Sequence, residues 1–336
     1  MKKTTIILMQ ALMILGVSSS LTSCQDILGE WDKPTPTVTP PTTPATETGT
    51  ITYMAWNSTS QALEPQTLNE GEYEVMTSST TTWTSDKPYV VNDDITLSDV
   101  TLSGDVKLIL CDDKTLTVNG TVYGGTYVLN VYGKDGDDGD GELSITSATD
   151  NAIGLKAAIL NVHSGKITVN VTGEDAQAIE TTIYPTNDGE FNVYGGKVTA
   201  NGIMEGIMVD YMTIYGGTVI ATGGCTATSS GGTGQGGIGL CGTTITINGG
   251  TVTATGGNGF AGTNGNGGNG ITANVTINGC TLVTATGGDL AGTGSNGEGF
   301  DNASTITIDA SLNYTVDGAA SGTPNPANNK VVIVQP

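Results

Sequence analysis

One short motif, apolar-x-apolar-[Tyr/His/Asn/Asp]-Gly-Gly, recurs along the chain and constrains its fold more than any other feature. The copies are Leu129-Asn-Val-Tyr-Gly133, Leu160-Asn-Val-His-Ser-Gly165, Phe191-Asn-Val-Tyr-Gly-Gly196, Met212-Thr-Ile-Tyr-Gly-Gly217, Ile245-Thr-Ile-Asn-Gly-Gly250, Val275-Thr-Ile-Asn-Gly279 and Ile306-Thr-Ile-Asp309. The Tyr/His/Asn/Asp position advances by 31, 31, 21, 33, 30 and 31 residues. Most copies continue into a second alternating stretch, as in Lys197-Val-Thr-Ala200, Thr218-Val-Ile-Ala221 and Thr251-Val-Thr-Ala254. Alternation with period two sends Val162, Val193, Ile214, Ile247, Ile277 and Ile308 to one face of a strand. A single unit cannot bury that face alone, so each strand must pair in parallel with its counterpart one repeat away. The expected fold is all-β: a right-handed parallel β-helix, with glycine at the corner supplying positive φ and close approach between turns. A sandwich of hairpins leaves the fixed spacing unexplained.

Composition agrees. Glycine accounts for 50 of 336 residues and phenylalanine for only three, and charged residues make up 13%. Gly and Thr are weak helix formers, and the Leu/Ala/Glu/Lys mixture of helical proteins is missing. Residues 83–318 are assigned to the coil, with Tyr89-Val-Val-Asn-Asp-Asp-Ile-Thr-Leu97, Asp105-Val-Lys-Leu-Ile-Leu110 and Lys114-Thr-Leu-Thr-Val118 as irregular first turns. Residues 51–82 are expected to form a small N-terminal β cap over the open end, and residues 319–336 a closing segment with a strand at Lys330 to Gln335. The Gly-rich stretches Gly223 to Gly239 and Gly256 to Gly270 are expected to project as inserts of variable length.

The N-terminus carries an export signal. Lys2 and Lys3 precede the apolar stretch Ile6 to Val17, which is too short to span a bilayer, and small residues follow at Ser18 to Ser20. Leu21-Thr22-Ser23-Cys24 resembles the lipobox of bacterial lipoproteins, which implies cleavage of residues 1–23 and a lipid on Cys24. Residues 24–50 then read as a stalk, because the Thr/Pro-rich run Pro34 to Thr48 is too poor in apolar residues to fold. Asp26, Glu30 and Asp32 behind the cysteine resemble the signal of Bacteroides-type lipoproteins displayed on the outer face. The expected location is the outer membrane, lipid-anchored and facing the cell surface, with the lipid as the sole membrane contact.

The formal net charge is −22, and all eleven basic residues are lysines. A chain without arginine and with this charge is a poor partner for nucleic acid or anionic lipid. The same absence weighs against a polysaccharide lyase, which needs a base and cations beside a uronate carboxyl. A glycoside hydrolase needs paired carboxylates, and no repeated Asp pair lies on a strand face. The single histidine, His163, occupies a corner slot where sibling copies carry Tyr or Asn, a structural position.

Two candidate sites remain. Asp135, Asp137, Asp138, Asp140 and Glu142 crowd an Asp/Gly run whose hard oxygens and flexible backbone suit calcium. The same run also makes a solvated acidic loop, and its spacing fits no EF-hand. The corner column Tyr132, His163, Tyr194, Tyr215, Asn248, Asn278, Asp309 would place its members about 4.8 Å apart. Tyr132, Tyr194 and Tyr215 in such a row form a platform for sugar rings, although ladders of like residues also stabilise turns with no ligand. Among the cysteines left after Cys24, which are Cys111, Cys225, Cys241 and Cys280, a Cys225–Cys241 bridge is one option, and Cys280 stands where siblings carry Gly.

The stretch from Tyr89 to Gly120, with the Thr-Ile-Asn-Gly-Gly-Thr-Val-Thr-Ala-Thr-Gly-Gly repeats after it, resembles glycine-rich surface proteins of gut anaerobes. It is similar, more loosely, to a clostridial carbohydrate-binding β-helix family that uses calcium and binds plant polysaccharides. The resemblance implies a monomeric, non-catalytic module for polysaccharide or for host or bacterial surface glycan. A lyase or hydrolase, and a purely structural surface protein, are the alternatives. Cys24→Ala is expected to abolish incorporation of radiolabelled palmitate, and label persisting in that variant would refute lipidation at Cys24.

Overall fold

A computed structural model of the chain describes residues 49–134, 141–182, 185–186, 188–225, 234–260, 265–291, 294–301, 304–316, 319–320 and 329–336. The described residues form strands, turns and bends with no helix, and most strand pairs are parallel. Repeats stack in register. Ile159–Val162 pairs with Val128–Gly133 on one side and Glu190–Val193 on the other, and Lys166–Val171 lies between Glu142–Ser147 and Lys197–Gly202 in the same way. The apolar positions recognised in the sequence fill the interior: Val162, Val193, Ile214, Ile247 and Ile277 are completely buried. The interior columns are matched in size along the stack, as in Val198, Val219, Val252 and Val283, or Ala200, Ala221, Ala254 and Ala285.

Each repeat contains a third strand that the sequence pattern hid. Ile153–Lys156, Gln177–Glu180 and the first halves of the long strands Glu205–Ile214 and Ile238–Ile247 pair in parallel on a separate side. Gly154, Ala178, Gly206 and Gly239 are buried directly beside the fully buried Leu155, Ile179, Ile207 and Leu240, so no apolar alternation announces these strands. The small residues are needed because this side lies close to the opposite wall. A Cβ on Gly206 would press on the backbone of Thr222 and Gly239.

The corners behave as the motif requires. Gly165, Gly196, Gly217 and Gly250 have φ between 68° and 80°, and each lies against the preceding repeat's backbone. Cys280 is not a drifted corner glycine. Asn248 aligns with Asn278 but Thr251 with Leu282, so the last corner contains one extra residue, and Cys280 is buried there with its Sγ 3.8 Å from the Ile333 carbonyl. Cys241 is a thiol and makes no bridge to Cys225; burial first, then the negative charges of Glu205 and Asp301, push it up to about 11.

Residues 226–233 and 261–264 of the Gly-rich stretches lie outside the described residues, and the glycines that flank them stack from repeat to repeat. Gly224, Gly257 and Gly288 form one row and Gly237, Gly268 and Gly297 a second. The two rows are laced by N–H donors from Gly237 to Gly224, Gly257 to Gly237, Gly268 to Gly257, Gly288 to Gly268 and Gly297 to Gly288, at 2.6–2.8 Å. A Cβ on Gly257 would overlap the Gly224 carbonyl. The described ends of the loops therefore continue the stacking of the repeats, in a layer where a side chain at Gly257 has no room.

The ends differ. Glu74–Val75 and Thr82–Trp83 already pair in parallel with the stack, and Trp83, fully buried, sits with Tyr89 and Met76 at its start. The hairpin of Ile51–Asn57 and Ala62–Leu68 does not lie over the open end as expected; it docks along the side, on the corner column. At the far end Lys330–Val334 adds antiparallel to Leu282–Thr286, placing Ile333 opposite Val283 and Val331 opposite Ala285. Asn313–Val316 pairs with its other edge. The direction reverses while the interior column continues, with Val331 and Ile333 fully buried against it, which ends the parallel stack.

Gly257→Ala is expected to destabilise the fold by about 2–3 kcal/mol, the scale of overpacking in a tight interior. Gly49→Ala, where a Cβ meets nothing within 4 Å, should be silent. Thermal melts of the two variants check this; equal melting temperatures would refute the glycine layer.

Candidate functional site

The corner column is a continuous aromatic stack. Ring centroids are 4.4 Å apart for Tyr132 and His163, 4.9 Å for His163 and Tyr194, and 5.1 Å for Tyr194 and Tyr215, with interplanar angles of 13–25°. The strand register produces this, since each corner lies one strand spacing from the next. Beyond Tyr215 the column turns to amides, and Asn278 Nδ2 donates to Asn248 Oδ1 at 2.9 Å. Parallel amide ladders run on neighbouring columns, Asn192 to Asn161 to Asn130 and Asn201 to Asn170.

The hairpin covers most of this stack. Trp56 lies over both Tyr194 and Tyr215, with centroids at 5.1 and 5.2 Å, and Tyr53 meets Tyr132 edge-on at 5.0 Å. The Trp56 amide donates to His163 Nδ1 at 2.9 Å, and Ser164 Oγ reaches the Met54 carbonyl at 3.2 Å. Leu63 packs where a Cβ on Gly195 would stand, so the first corner glycine makes room for the hairpin. Beneath it Ile51, Tyr53, Tyr73, Val90, Ile109, Cys111 and Tyr132 form a second core.

The three tyrosines singled out in the sequence thus part company. Tyr132 is 6% exposed and sealed under Tyr53. Tyr194 is half-buried between His163, Tyr215 and Trp56, and burial, then the neighbouring Tyr215 and Glu190, raise its pKa. Tyr215 alone is open, at 39% exposure. It borders a recess of about 410 Å³ lined by Trp56, Gln61, Tyr215 and Asn248. Trp56 and Gln61 could not be found from the repeat, because they belong to a segment outside it and reach the column over more than a hundred residues of chain.

Cys24, Asp135, Asp137, Asp138 and Asp140 lie outside the described residues. Glu142, the remaining member of the acidic run, is paired with Lys166 at 2.8 Å. Among the described residues no group of three His, Cys, Asp or Glu side chains is placed to hold a metal ion.

A second, larger cavity of about 700 Å³ opens on the third side of the repeats, over Gln177 and Glu205. Glu205 is 6% exposed, and Gln177 Nε2 donates to its Oε2 at 2.9 Å. On the next column Lys156 pairs with Glu180 at 2.7 Å. These residues were missed because the strand that positions them was missed. No family model, curated protein or solved structure matches the chain.

His163 offers a check on the docked hairpin. Burial, followed by the charge of Lys107, lowers its pKa from 6.5 to about 4, and its Nδ1 must stay unprotonated to accept the Trp56 N–H. Between those two values the unfolded chain binds more protons, so stability present above pH 6.5 is lost as pH falls towards 4, by at most about 3 kcal/mol. His163→Asn should flatten that part of the pH profile of chemical unfolding. A profile unchanged by the substitution would show that the imidazole is not neutral in the fold.

Proposed function

We propose that the chain is a lipid-anchored surface protein that binds a polysaccharide without cleaving it, on a scaffold that is a right-handed parallel β-helix. The aromatic shelf carries the reading: Trp56 and Tyr215 stand side by side at the open end of a stacked column, bordering a recess that Gln61 and Asn248 complete. Flat ring faces suit the C–H face of a sugar, and flanking carboxamides both donate to and accept from hydroxyls. The shelf is rigid, since Tyr215 is backed by Tyr194 and Trp56 is held through the His163 bond, so little ordering entropy is lost on binding. Anchoring through Cys24 behind a Thr/Pro-rich stalk would hold the shelf away from the membrane, where a cell-surface glycan is met.

Affinity electrophoresis of the full chain through gels containing plant and host polysaccharides tests this, with reducing-sugar release and unsaturated-uronate absorbance followed on the same samples. Retardation without product is expected. Tyr215→Ala should weaken retention about tenfold, or about 1.4 kcal/mol, with an unchanged melting temperature. Product formation that scales with protein concentration would overturn the non-catalytic reading.

A further inference from the structure

The cavity on the third side has a floor built from one register. Ile153, Gln177, Glu205 and Ile238 occupy equivalent outward positions on consecutive repeats. Asn151 and Asp175 also line it. Both adopt left-handed backbone, φ 56° and 53°, and they are two of only four such non-glycine residues among the described ones. Backbone of this kind costs free energy and gathers at functional sites. Its polar lining therefore comprises three carboxamides, Asn151, Gln177 and Gln235, and two carboxylates, Asp175 and Glu205, while Ile153 and Met204 add apolar surface. Among the described residues no lysine or histidine lines it, and Lys156, on the neighbouring column, is engaged by Glu180.

This chemistry selects a ligand class. Carboxylate and carboxamide groups side by side accept from and donate to vicinal hydroxyls, and the apolar side chains suit a ring's C–H face. The volume falls in the range of small-molecule sites, and among the described residues no three His, Cys, Asp or Glu side chains gather to hold a metal ion. An anionic ligand would meet Asp175 and Glu205 with no cation to compensate. Glu205 already resists ionisation through burial, and the charges of Glu180 and Asp175 add to that resistance although the Gln177 hydrogen bond opposes it. Another negative group would meet the same field.

We infer that this cavity is a second saccharide site, separate from the aromatic shelf, that admits sugar units without an anionic group and rejects uronates. The inference rests on the glycan-binding reading and adds to it a site and a charge preference. Calorimetric titration of the full chain at pH 7 with cellohexaose, xylohexaose, mannohexaose and trigalacturonate tests it, using wild type, Tyr215→Ala, Met204→Trp and Glu205→Gln. Met204 is 41% exposed at the cavity, so a Trp there narrows the opening without entering the core; melting temperatures confirm folding. At least one neutral hexaose is expected to bind at a site that Met204→Trp weakens at least tenfold and Tyr215→Ala leaves unchanged. Trigalacturonate should be excluded from that site in wild type and gain at least tenfold in Glu205→Gln. Neutral binding abolished by Tyr215→Ala and untouched by Met204→Trp would overturn the second site while sparing the shelf. Trigalacturonate binding in wild type that Met204→Trp removes would overturn the charge preference. No binding of any probe would overturn the glycan-binding reading itself, and the second site with it.

Discussion

The parallel ladder that ties each strand to its counterpart one repeat away is the constraint from which the rest of the structure follows. Because the register is held residue by residue, each strand residue lies directly against its equivalent one repeat away, and in several columns the two are of one kind, as Asn161 and Asn192 or Val198 and Val219. Inward, that rule produces columns of Val and Ala whose size must match, since a bulky residue in one repeat presses on two others. Outward, it produces ladders: aromatic from Tyr132 to Tyr215, amide from Asn130 to Asn192. Along the loops it produces the two glycine rows. One geometric repeat thus imposes three different chemical repeats.

Legibility in the sequence followed the same logic. The two strands flanking each Gly-Gly corner were readable because their inward residues are large and alternate with polar ones, as in Phe191-Asn-Val193 and Lys197-Val-Thr-Ala200. The third strand was not, because it is short and its buried residues are adjacent, small beside large as in Gly154-Leu155 and Ala178-Ile179, which leaves no period-two alternation to detect. The glycine layer was taken for loop for a related reason. Glycine is the mark of irregular chain and also of backbone packed on backbone, and only the spacing of about thirty residues between Gly224, Gly257 and Gly288 separates the two. The column of corner residues was legible as a column, but its covering was not. The bond from Trp56 to His163 joins positions 107 apart, and nothing local in either segment announces the other.

That covering changes what the aromatic column does. An uncovered row of rings would expose a long apolar stripe, and the hairpin buries most of it, with Tyr53 and Trp56 as the contacts. Tyr132 thereby becomes core, and His163 accepts the Trp56 backbone N–H while stacking on both neighbours. This accounts for a histidine in a slot where tyrosine would stack equally well. The column and the hairpin are best regarded as one structural unit with one open end, and the recognition proposed above would be confined to that end because the remainder is occupied in holding the hairpin.

The third side presents the opposite arrangement. Its small residue Gly206 lies against the backbone of Thr222 and Gly239, and Leu155, Ile179, Ile207 and Leu240 of the same strands are fully buried, so the outward residues stand on a tightly packed floor. Gln177 and Glu205 are carried by strands, and the cavity over them is completed by turns, which change shape at lower cost. A carboxylate buried there without a cation would be a liability in a purely structural face, where a Thr or Ser would satisfy the same position. Burying Glu205 beside Asp175 and Glu180 costs free energy, and in a chain of net charge −22 long-range repulsion adds to that cost. On the proposed second-site reading, a hydroxyl-rich ligand would offset that cost by donating hydrogen bonds to the carboxylates in place of water, which gives the acidic floor a physical reason.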